Sequence, residues 1–295
     1  MKYQDAGAFR SALEHRLKEL AAGDGARLAR DRKRVAFDRF LARLAATAPD
    51  RWLPKGGFAL DLRLAGRARA TKDIDLDWRE AGAELLDVLL DAIDHDAGDF
   101  FVFSIERSGA LADRVAGGQR FRVSASLAGR GFEIFPLDVA SRAEPMLAAD
   151  TLTTADLLAF AGLGPVRVPV LPLERQVAEK LHAYTRTYEG DRPSSRTKDL
   201  VDIVLIAELA ALDAAKLWIA IETTFTTRGT HRIPEKVPRP QRDWATPFSE
   251  LATAVGISTD LVAAHAVATE LLDPVLDGTI RKGVWDLNGR RWASP

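Results

Sequence analysis

The sequence predicts an α+β protein, in which a small mixed sheet with flanking helices precedes a mostly helical second half. Polar and apolar residues alternate over 73–78, which is the period of a half-buried strand. Three further β-rich segments end near residue 139, and the pattern turns helical beyond residue 150. A chain of 295 residues is long enough for two domains, and we place them at 1–150 and 151–295.

The chain opens with two amphipathic helices, whose apolar residues recur at helical spacing over 9–20 and 37–44. The second helix carries a run of basic residues on its other side. We interpret this run as a solvated face that pairs with Asp31 and Asp38, and an RNA-facing role is the alternative. The basic residues are Arg27, Arg30, Arg32, Lys33, Arg34, Arg39 and Arg43.

The remaining elements follow from local periodicity and from turn residues. In the first half we predict strands at 52–54, 73–78, 100–106, 120–127 and 132–139, with helices at 58–64 and 83–93. In the second half we predict helices at 173–186, 198–209, 214–223 and 260–272, with a Pro- and Arg-rich loop at 228–242.

Composition excludes several classes of protein. Hydrophobic residues make up 47% and charged residues 28% of the chain, which is typical of a globular protein. Cysteine is absent, which excludes disulfides and thiolate metal sites and favours the cytoplasm. No apolar run reaches the roughly 20 residues of a membrane span, so we expect no membrane association. The net charge is −1, so any nucleic-acid binding must depend on local basic patches.

The segment most indicative of chemistry is the acidic strand. Asp73 and Asp75 are two residues apart, so they share one face of that strand. Two such carboxylates repel each other unless water or a divalent cation lies between them. Mg²⁺ is commonly held by one or two carboxylates together with substrate phosphates. Upstream, Gly56 and Gly57 permit a tight turn and close backbone approach to phosphates. The alternatives are the wet face of an ordinary strand and an ordinary glycine turn.

Two stretches, 53–60 and 69–76, resemble the first motif of the AbiEii/AbiGii toxin nucleotidyltransferases of type IV systems, which include MenT-type enzymes. They read Leu-Pro-Lys-Gly-Gly-Phe-Ala-Leu and Arg-Ala-Thr-Lys-Asp-Ile-Asp-Leu. The resemblance extends from about residue 29 to about 205. It implies a polymerase-β-like nucleotidyltransferase domain, followed by a helical domain that completes the active site and binds substrate.

The resemblance also implies roles for residues of the first half. Asp73 and Asp75 would hold Mg²⁺ or Mn²⁺, with Asp138 as a third acid on a neighbouring strand and Glu133 as a weaker alternative. Residues expected to bind the NTP substrate are Lys55, Gly56, Gly57 and Thr71. Many nucleotidyltransferases have Gly-Ser at the glycine pair, so here backbone N–H groups would replace a serine contact to phosphate.

In the second half, the resemblance assigns Lys180 the role of a phosphate clamp. The motif Arg-Thr-Lys-Asp at 196–199, followed by Asp202, resembles a family motif. Asp202 would lie near Lys180 and orient it or act as a base, while Arg196 and Lys198, with Arg186 and Arg192, would favour phosphate. The five histidines show no zinc-ligand spacing, and we interpret His182 as structural.

The function that the resemblance implies is transfer of a nucleoside monophosphate from an NTP to an RNA acceptor, the 3′ end of tRNA, in a toxin with a cognate antitoxin. Transfer to protein or to a small molecule is one alternative, and a catalytically silent nucleic-acid- or partner-binding module is another. The basic residues that we predict to contact RNA are Arg228, Arg232, Lys236, Arg239 and Arg242, with further candidates at 281–291.

Overall fold

The computed structural model describes residues 1–64, 66–79, 84–110, 118–141, 149–187 and 195–293. The chain divides into two compact units. The first comprises Met1–Ala65 and Ala70–Leu171, and the second comprises Gly66–Arg69 and Pro172–Pro295. The division therefore falls after Leu171 rather than after residue 150.

The first unit is built on a five-stranded mixed sheet. Its strands are β1 (Trp52–Lys55), β2 (Ile74–Trp78), β3 (Phe101–Ala110), β4 (Gln119–Leu127) and β5 (Arg130–Ser141). Their order is β1-β2-β5-β4-β3. Only the β2–β5 pair is parallel, and the other neighbours run antiparallel. The predicted small mixed sheet is confirmed.

In the described part of the first unit, four α-helices accompany this sheet: α1 (Ala6–Ala21), α2 (Gly25–Thr47), α3 (Gly56–Arg63) and α4 (Leu85–Asp94). Asp5 and Asp24 begin the first two, because their carboxylates accept backbone N–H groups of the first turn. Ala83, the predicted first residue of the fourth helix, and the loop 111–117 lie outside the described residues.

The segment from 150 to 171 belongs to the first unit because it binds there through the backbone. Two strands, β6 (Asp150–Thr153) and β7 (Arg167–Val170), pair with each other. Just beyond them, Leu171 donates its N–H to the Pro54 carbonyl at 3.1 Å. The Arg63 guanidinium in turn donates to the Leu171 carbonyl at 2.8 Å. The end of this segment is thus tied to β1 and α3 of the first unit.

One face of the sheet packs against α2. The ring centroids of Phe37 and Phe135 are 4.8 Å apart, and those of Phe40 and Phe103 are 5.9 Å apart. Ile74 and Leu76 of β2 are buried in the same cluster. Because side chains alternate along a strand, the acidic residues of β2 lie on the opposite face. The core thus fixes which face carries the carboxylates.

The basic side of α2 is not a solvated face throughout. Arg39 and Arg43 are buried, and both Arg43 Nη atoms lie 2.8 Å from the carboxylate oxygens of buried Asp99. Arg39 pairs with Asp38, which is also buried. The expected pairing of Asp38 is present, but these arginines are internal, where an ion pair needs full hydrogen bonding to be tolerated. An RNA-facing role is therefore excluded for Arg39 and Arg43.

The second unit is mostly helical. Its helices are α5 (Leu173–Thr185), α6 (Thr197–Leu209), α7 (Ala214–Arg228), α8 (Ala245–Val255) and α9 (Leu261–Leu276). The predicted helices are present, whereas α8 and the strand pair β8 (Val284–Asp286) and β9 (Arg291–Ala293) were not predicted. Among the residues that the structure describes, no helix is both long and apolar enough to cross a membrane.

Candidate active site

The acidic residues of the first unit meet on adjacent strands. Asp75 of β2 lies directly opposite Asp138 on parallel β5, and opposite Lys55 on antiparallel β1. Asp73 immediately precedes β2 and is half-buried, as is Asp75, while Asp138 is buried. Residues opposite each other across a ladder point to the same face, so Asp75 and Asp138 are close neighbours.

The glycine at the start of α3 is required by the position of Asp75. Gly56 has φ +64°, a left-handed conformation that L side chains rarely adopt. A Cβ atom there would collide with Oδ2 of Asp75 and lie 3.2 Å from its Cγ. The bare backbone of Gly56 therefore lets the carboxylate sit against the first turn of α3. Gly57 is buried in that turn.

The other two acidic residues of this segment, Asp77 and Asp73, contact Lys55 and Thr71. Buried Lys55 forms an ion pair with Asp77, so its ammonium charge is balanced within the sheet. The Thr71 hydroxyl lies 3.0 Å from Oδ1 of Asp73 and 3.2 Å from the Asp73 carbonyl. The carboxylate of Asp73 thus has a local hydroxyl donor that fixes its orientation.

Asp138 is paired with Arg120 of β4. Arg120 donates from Nε to Oδ1 at 2.7 Å and from Nη2 to Oδ2 at 2.8 Å. The hydrogen bonds to Asp138 and its charge raise the pKa of the Arg120 guanidinium, and the charges of Asp73 and Asp75 add to the rise. One guanidinium therefore lies within electrostatic reach of all three carboxylates.

These residues fit a divalent cation that arrives with nucleotide. Within the described ranges, no three acidic or histidine side chains form a ready-made metal cluster. Mg²⁺ does not need one, because one or two carboxylates and substrate phosphates satisfy it. Half-buried Asp73 and Asp75 supply hard oxygen donors of that kind, and the carboxylate of Asp75 is fixed against α3.

The second unit holds a separate cluster around one buried carboxylate. Asp202 of α6 is 0% exposed, and its Oδ2 accepts from Lys180 Nζ of α5 at 2.6 Å. Arg69 donates from Nε to Oδ1 of the same carboxylate at 3.1 Å. Asp202 is thus held by two cations.

Burial alone would raise the pKa of Asp202. The charges of Lys180 and Arg69, together with their hydrogen bonds, overcome burial and lower the pKa below its ordinary value. Asp202 is therefore ionised at neutral pH. A carboxylate with a lowered pKa is a weak base, so the geometry favours orientation of Lys180 over proton abstraction.

The second acid of α6 extends this cluster. Asp199 is buried, accepts from Arg196 Nε at 2.6 Å, and lies 3.9 Å from Lys180 Nζ. Three cations therefore surround two buried carboxylates. Lys198, one turn from Asp202, is exposed at the surface of α6. The structure thus brings Lys180, Arg196, Asp199 and Asp202 together, and Arg192 lies outside the described residues.

Comparison with known families decides the identity. A family model for the nucleotidyl transferase AbiEii toxin of type IV toxin–antitoxin systems matches residues 39–262. The chain belongs to the AbiEii toxin family. It is accordingly a nucleotidyltransferase, and the suspected AbiEii/MenT-like relationship is confirmed. No curated protein matches this AbiEii chain significantly in sequence.

The chain is also similar to solved structures. MenT4, a nucleotidyltransferase toxin from Mycobacterium tuberculosis H37Rv, is 19% identical, with a TM-score of 0.54 over 91% of this chain and 99% of MenT4. JHP933 from Helicobacter pylori is 15% identical, with a TM-score of 0.47 over 84% of this chain and 94% of its own. The likeness to MenT4 confirms the predicted α+β nucleotidyltransferase fold of this AbiEii protein.

The predicted RNA-contacting residues of the AbiEii chain differ in their surroundings. Arg228, at the end of α7, lies 3.2 Å from Glu179 and 3.2 Å from Nδ1 of His182. The loop that follows is anchored at buried Val237, whose N–H donates to Asp273 at 2.8 Å. Four basic side chains of the loop and its end are exposed: Arg232, Lys236, Arg239 and Arg242.

His182 belongs to a hydrogen-bonded network with the same loop. Its Nε2 lies 2.8 Å from the Thr230 hydroxyl, which is 2.9 Å from Nδ1 of His231. Burial, then the charges of Arg228 and His231, lower the pKa of His182 to about 3. His182 is therefore neutral at physiological pH, which supports a structural role. The two histidines are 49 positions apart along the chain, and sequence spacing gave no sign of their contact.

Sequence reasoning missed two arginines of this AbiEii site. Arg69 enters the sequence analysis only as the first residue of the 69–76 stretch, although it binds Asp202, which lies 133 residues further along the chain. Arg120 was not singled out, although its place on the strand next to the one bearing Asp138 is a usable signal. Once β4 and β5 are paired as a hairpin, Arg120 falls opposite Asp138.

Proposed function

We propose that this AbiEii protein transfers a nucleoside monophosphate from an NTP to the 3′ end of tRNA and so blocks aminoacylation and translation. The observation that carries the proposal is the facing pair Asp75 and Asp138 on parallel strands, with Gly56 against Asp75. In the reaction, the 3′ hydroxyl oxygen would bond to the α-phosphorus. The bond from that phosphorus to the β-phosphate oxygen would break, and pyrophosphate would leave.

Within the first unit, we assign Asp73 and Asp75 to hold Mg²⁺, or Mn²⁺, with Asp138 as the third acid. When bound, the metal would neutralise phosphate charge and lower the pKa of the attacking hydroxyl. The backbone N–H groups of Gly56 and Gly57 at the start of α3 would bind phosphate oxygens. Thr71 would keep Asp73 oriented through its hydroxyl.

Lys55 was also predicted to bind nucleotide. Its ion pair with Asp77 supports a different contribution, which is to fix β1 against β2 beside Asp75. Direct phosphate contact by Lys55 would require that pair to open. A Lys55→Met variant that loses stability but keeps its KM for NTP would favour the role of Lys55 in fixing β1 against β2.

In the second unit, we assign Lys180 to the phosphates of the NTP, since a compact ammonium group stabilises charge that develops during phosphoryl transfer. Asp202 would hold that ammonium group in place, at 2.6 Å. Arg196 and Lys198 would add positive charge that favours phosphate. Asp202→Asn should then raise KM and lower kcat together, because Lys180 loses its fixed position.

For the acceptor, we assign RNA contact to four exposed residues, Arg232, Lys236, Arg239 and Arg242, and a smaller contribution to Arg228 because of its pairing with Glu179. Substituting all four exposed residues with Ala should weaken tRNA binding. The slope of log affinity against log salt concentration should also become shallower, by the contribution of up to about four phosphate contacts. Exposed Lys18 and Lys216, both on helices, serve as the matched control pair. An unchanged affinity and salt slope would contradict the assignment.

Membership of a type IV system also supports a cognate antitoxin and a cytoplasmic site of action, where tRNA and NTPs are available. We further propose that phosphorylation of Thr71 would inactivate the protein. A phosphate on Thr71 would lie beside Asp73, whose Oδ1 is 3.0 Å from the hydroxyl, and would repel it. Thr71→Glu should abolish transfer while Thr71→Ser keeps it, and a fully active Thr71→Glu protein would contradict this.

The test is label transfer with purified protein, Mg²⁺, total bacterial RNA and each α-³²P-labelled NTP in turn, with Asp73→Ala in parallel. Label in RNA of tRNA size that disappears in the variant is the expected result. Label in protein instead would favour transfer to a side chain. Nucleotide binding without transfer to any acceptor would favour a catalytically silent module.

A further inference from the structure

Arg120 closes Asp138 from the solvent side. Both carboxylate oxygens of Asp138 accept a hydrogen bond from one guanidinium, at 2.7 and 2.8 Å. The Asp138 side chain is only 5% exposed, whereas that of Arg120 is 48% exposed. The pair thus covers a buried carboxylate with a side chain that solvent and ligands can reach.

Asp75, Asp138 and Arg120 lie side by side on three neighbouring strands. Asp75 of β2 lies opposite Asp138 of β5, and Asp138 lies opposite Arg120 of β4. The carboxylates of Asp73, Asp75 and Asp138 are therefore accompanied by the Arg120 guanidinium on the same face of the sheet. Without a divalent cation, Arg120 supplies positive charge at this face.

This arrangement restricts what Asp138 can do. A carboxylate whose two oxygens are both engaged by a guanidinium meets a divalent cation only against the repulsion of that guanidinium. Asp138 becomes available beside Asp75 when Arg120 turns away. The guanidinium has five N–H donors and uses two here, so three remain to bind an anionic oxygen such as that of a phosphate.

We propose that Arg120 is a positioning residue that holds Asp138 out of the metal site until the phosphates of an incoming NTP draw the guanidinium away. This inference rests on the proposed function, since it names how the same site takes up metal and nucleotide. Arg120 thereby favours a metal that enters with NTP over a metal that binds alone.

The test measures Mn²⁺ binding without nucleotide, with electron paramagnetic resonance used to detect the free ion. Arg120→Gln should bind Mn²⁺ about tenfold more tightly than wild type, because one nearby positive charge is removed. Arg122→Gln is the matched control, since Arg122 is an exposed residue of the same strand and face, two positions away. It should change the affinity less than about twofold. Arg120→Lys, which keeps the charge without the bidentate geometry, should fall between.

A second arm uses a non-hydrolysable NTP analogue. The analogue should tighten Mn²⁺ binding to wild type more than to Arg120→Gln, because only wild type must release Asp138. If Arg120→Gln folds poorly, Arg120→Lys is compared with wild type instead. Mn²⁺ should then raise the Tm of Arg120→Lys more than the Tm of wild type.

Equal or weaker Mn²⁺ binding by Arg120→Gln, or no Mn²⁺ binding by any of these proteins, would overturn the role of Arg120. Failure of the proposed function gives a different result, in which the wild type transfers no label to any acceptor. Metal binding and label transfer are measured separately, so the two failures are distinguishable.

Discussion

The acidic strand of the first unit and the buried carboxylate of the second unit use the same chemical group in opposite ways. Asp73 and Asp75 are half-buried, and Asp75 is set against the glycine turn at the start of α3. Asp202 is fully buried and held by Lys180 and Arg69. The first arrangement leaves negative charge for a ligand to neutralise, whereas the second uses negative charge to position cations.

The largest expected effects separate these roles. Asp75→Asn should lower nucleotidyl transfer by about 10³-fold, as loss of a key electrostatic contact does. It should change the free energy of unfolding by less than about 1 kcal/mol, because it also relieves repulsion among the carboxylates of Asp73, Asp75 and Asp138. Kinetics and urea denaturation measure the two quantities.

Asp202→Asn, in contrast to Asp75→Asn, should lower the stability of the protein strongly. It leaves the buried charges of Lys180 and Arg69 without their shared partner, which should cost about 3–5 kcal/mol of unfolding free energy. If Asp202→Asn proved as stable as wild type while Asp75→Asn unfolded, the contrast between the two carboxylates would be refuted.

The next effect concerns Lys180. Lys180→Ala should reduce kcat by about 10²-fold if its ammonium group stabilises phosphate charge. It also leaves Asp202 with one cation fewer, so stability must be measured beside activity. Lys216→Ala, at an exposed site of α7, is the control, and equal losses of kcat in both variants would contradict a specific role for Lys180.

A smaller effect is expected at the glycine turn. Gly56→Ala should reduce activity about tenfold, because the added Cβ displaces the Asp75 carboxylate as well as straining the backbone. Gly129→Ala isolates the strain, since Gly129 has a similar φ of +68° and open space around its Cβ position. Both variants should lose roughly 1 kcal/mol or more of stability, and only Gly56→Ala should lose activity.

The smallest effect concerns pH and the histidine network of the second unit. Folded His182 has a pKa of about 3, against about 6.5 when unfolded, so between these values the unfolded state binds the additional proton. Stability should therefore fall as pH drops from about 6.5 towards 3, by at most about 1.4 kcal/mol per pH unit. His182→Gln should show a shallower slope in urea denaturation at several pH values. His15→Gln, at an exposed site, should keep the wild-type slope.

The sequence predicted those parts of the site that depend on local pattern. Alternation placed the carboxylates of β2 on one face, and the paired glycines predicted a tight turn, although not its contact with Asp75. The motif at 196–202 predicted the approach of Asp202 to Lys180, at 2.6 Å. These features follow from the strand and helix periods and from a family motif.

The features that the sequence did not predict depend on distant contacts. Arg43 and Asp99 form a buried pair across 56 residues, so a basic helix face that looks solvated is partly internal. The pairing of Arg69 with Asp202 and the contact between His182 and His231 likewise need the tertiary fold. Likewise, the segment 150–171 joins the first unit, where the Leu171 N–H donates to the Pro54 carbonyl, and local sequence pattern does not indicate this contact.

The central claim is that the acidic strand directs nucleotide transfer to an RNA 3′ end, and one labelling experiment tests it directly. Intact tRNA and periodate-treated tRNA, which lacks a reactive 3′ diol, are each incubated with α-³²P-labelled NTP and either wild type or Asp75→Asn. We predict label only on intact tRNA with wild type. Equal labelling of periodate-treated tRNA, or undiminished labelling by Asp75→Asn, would contradict the account.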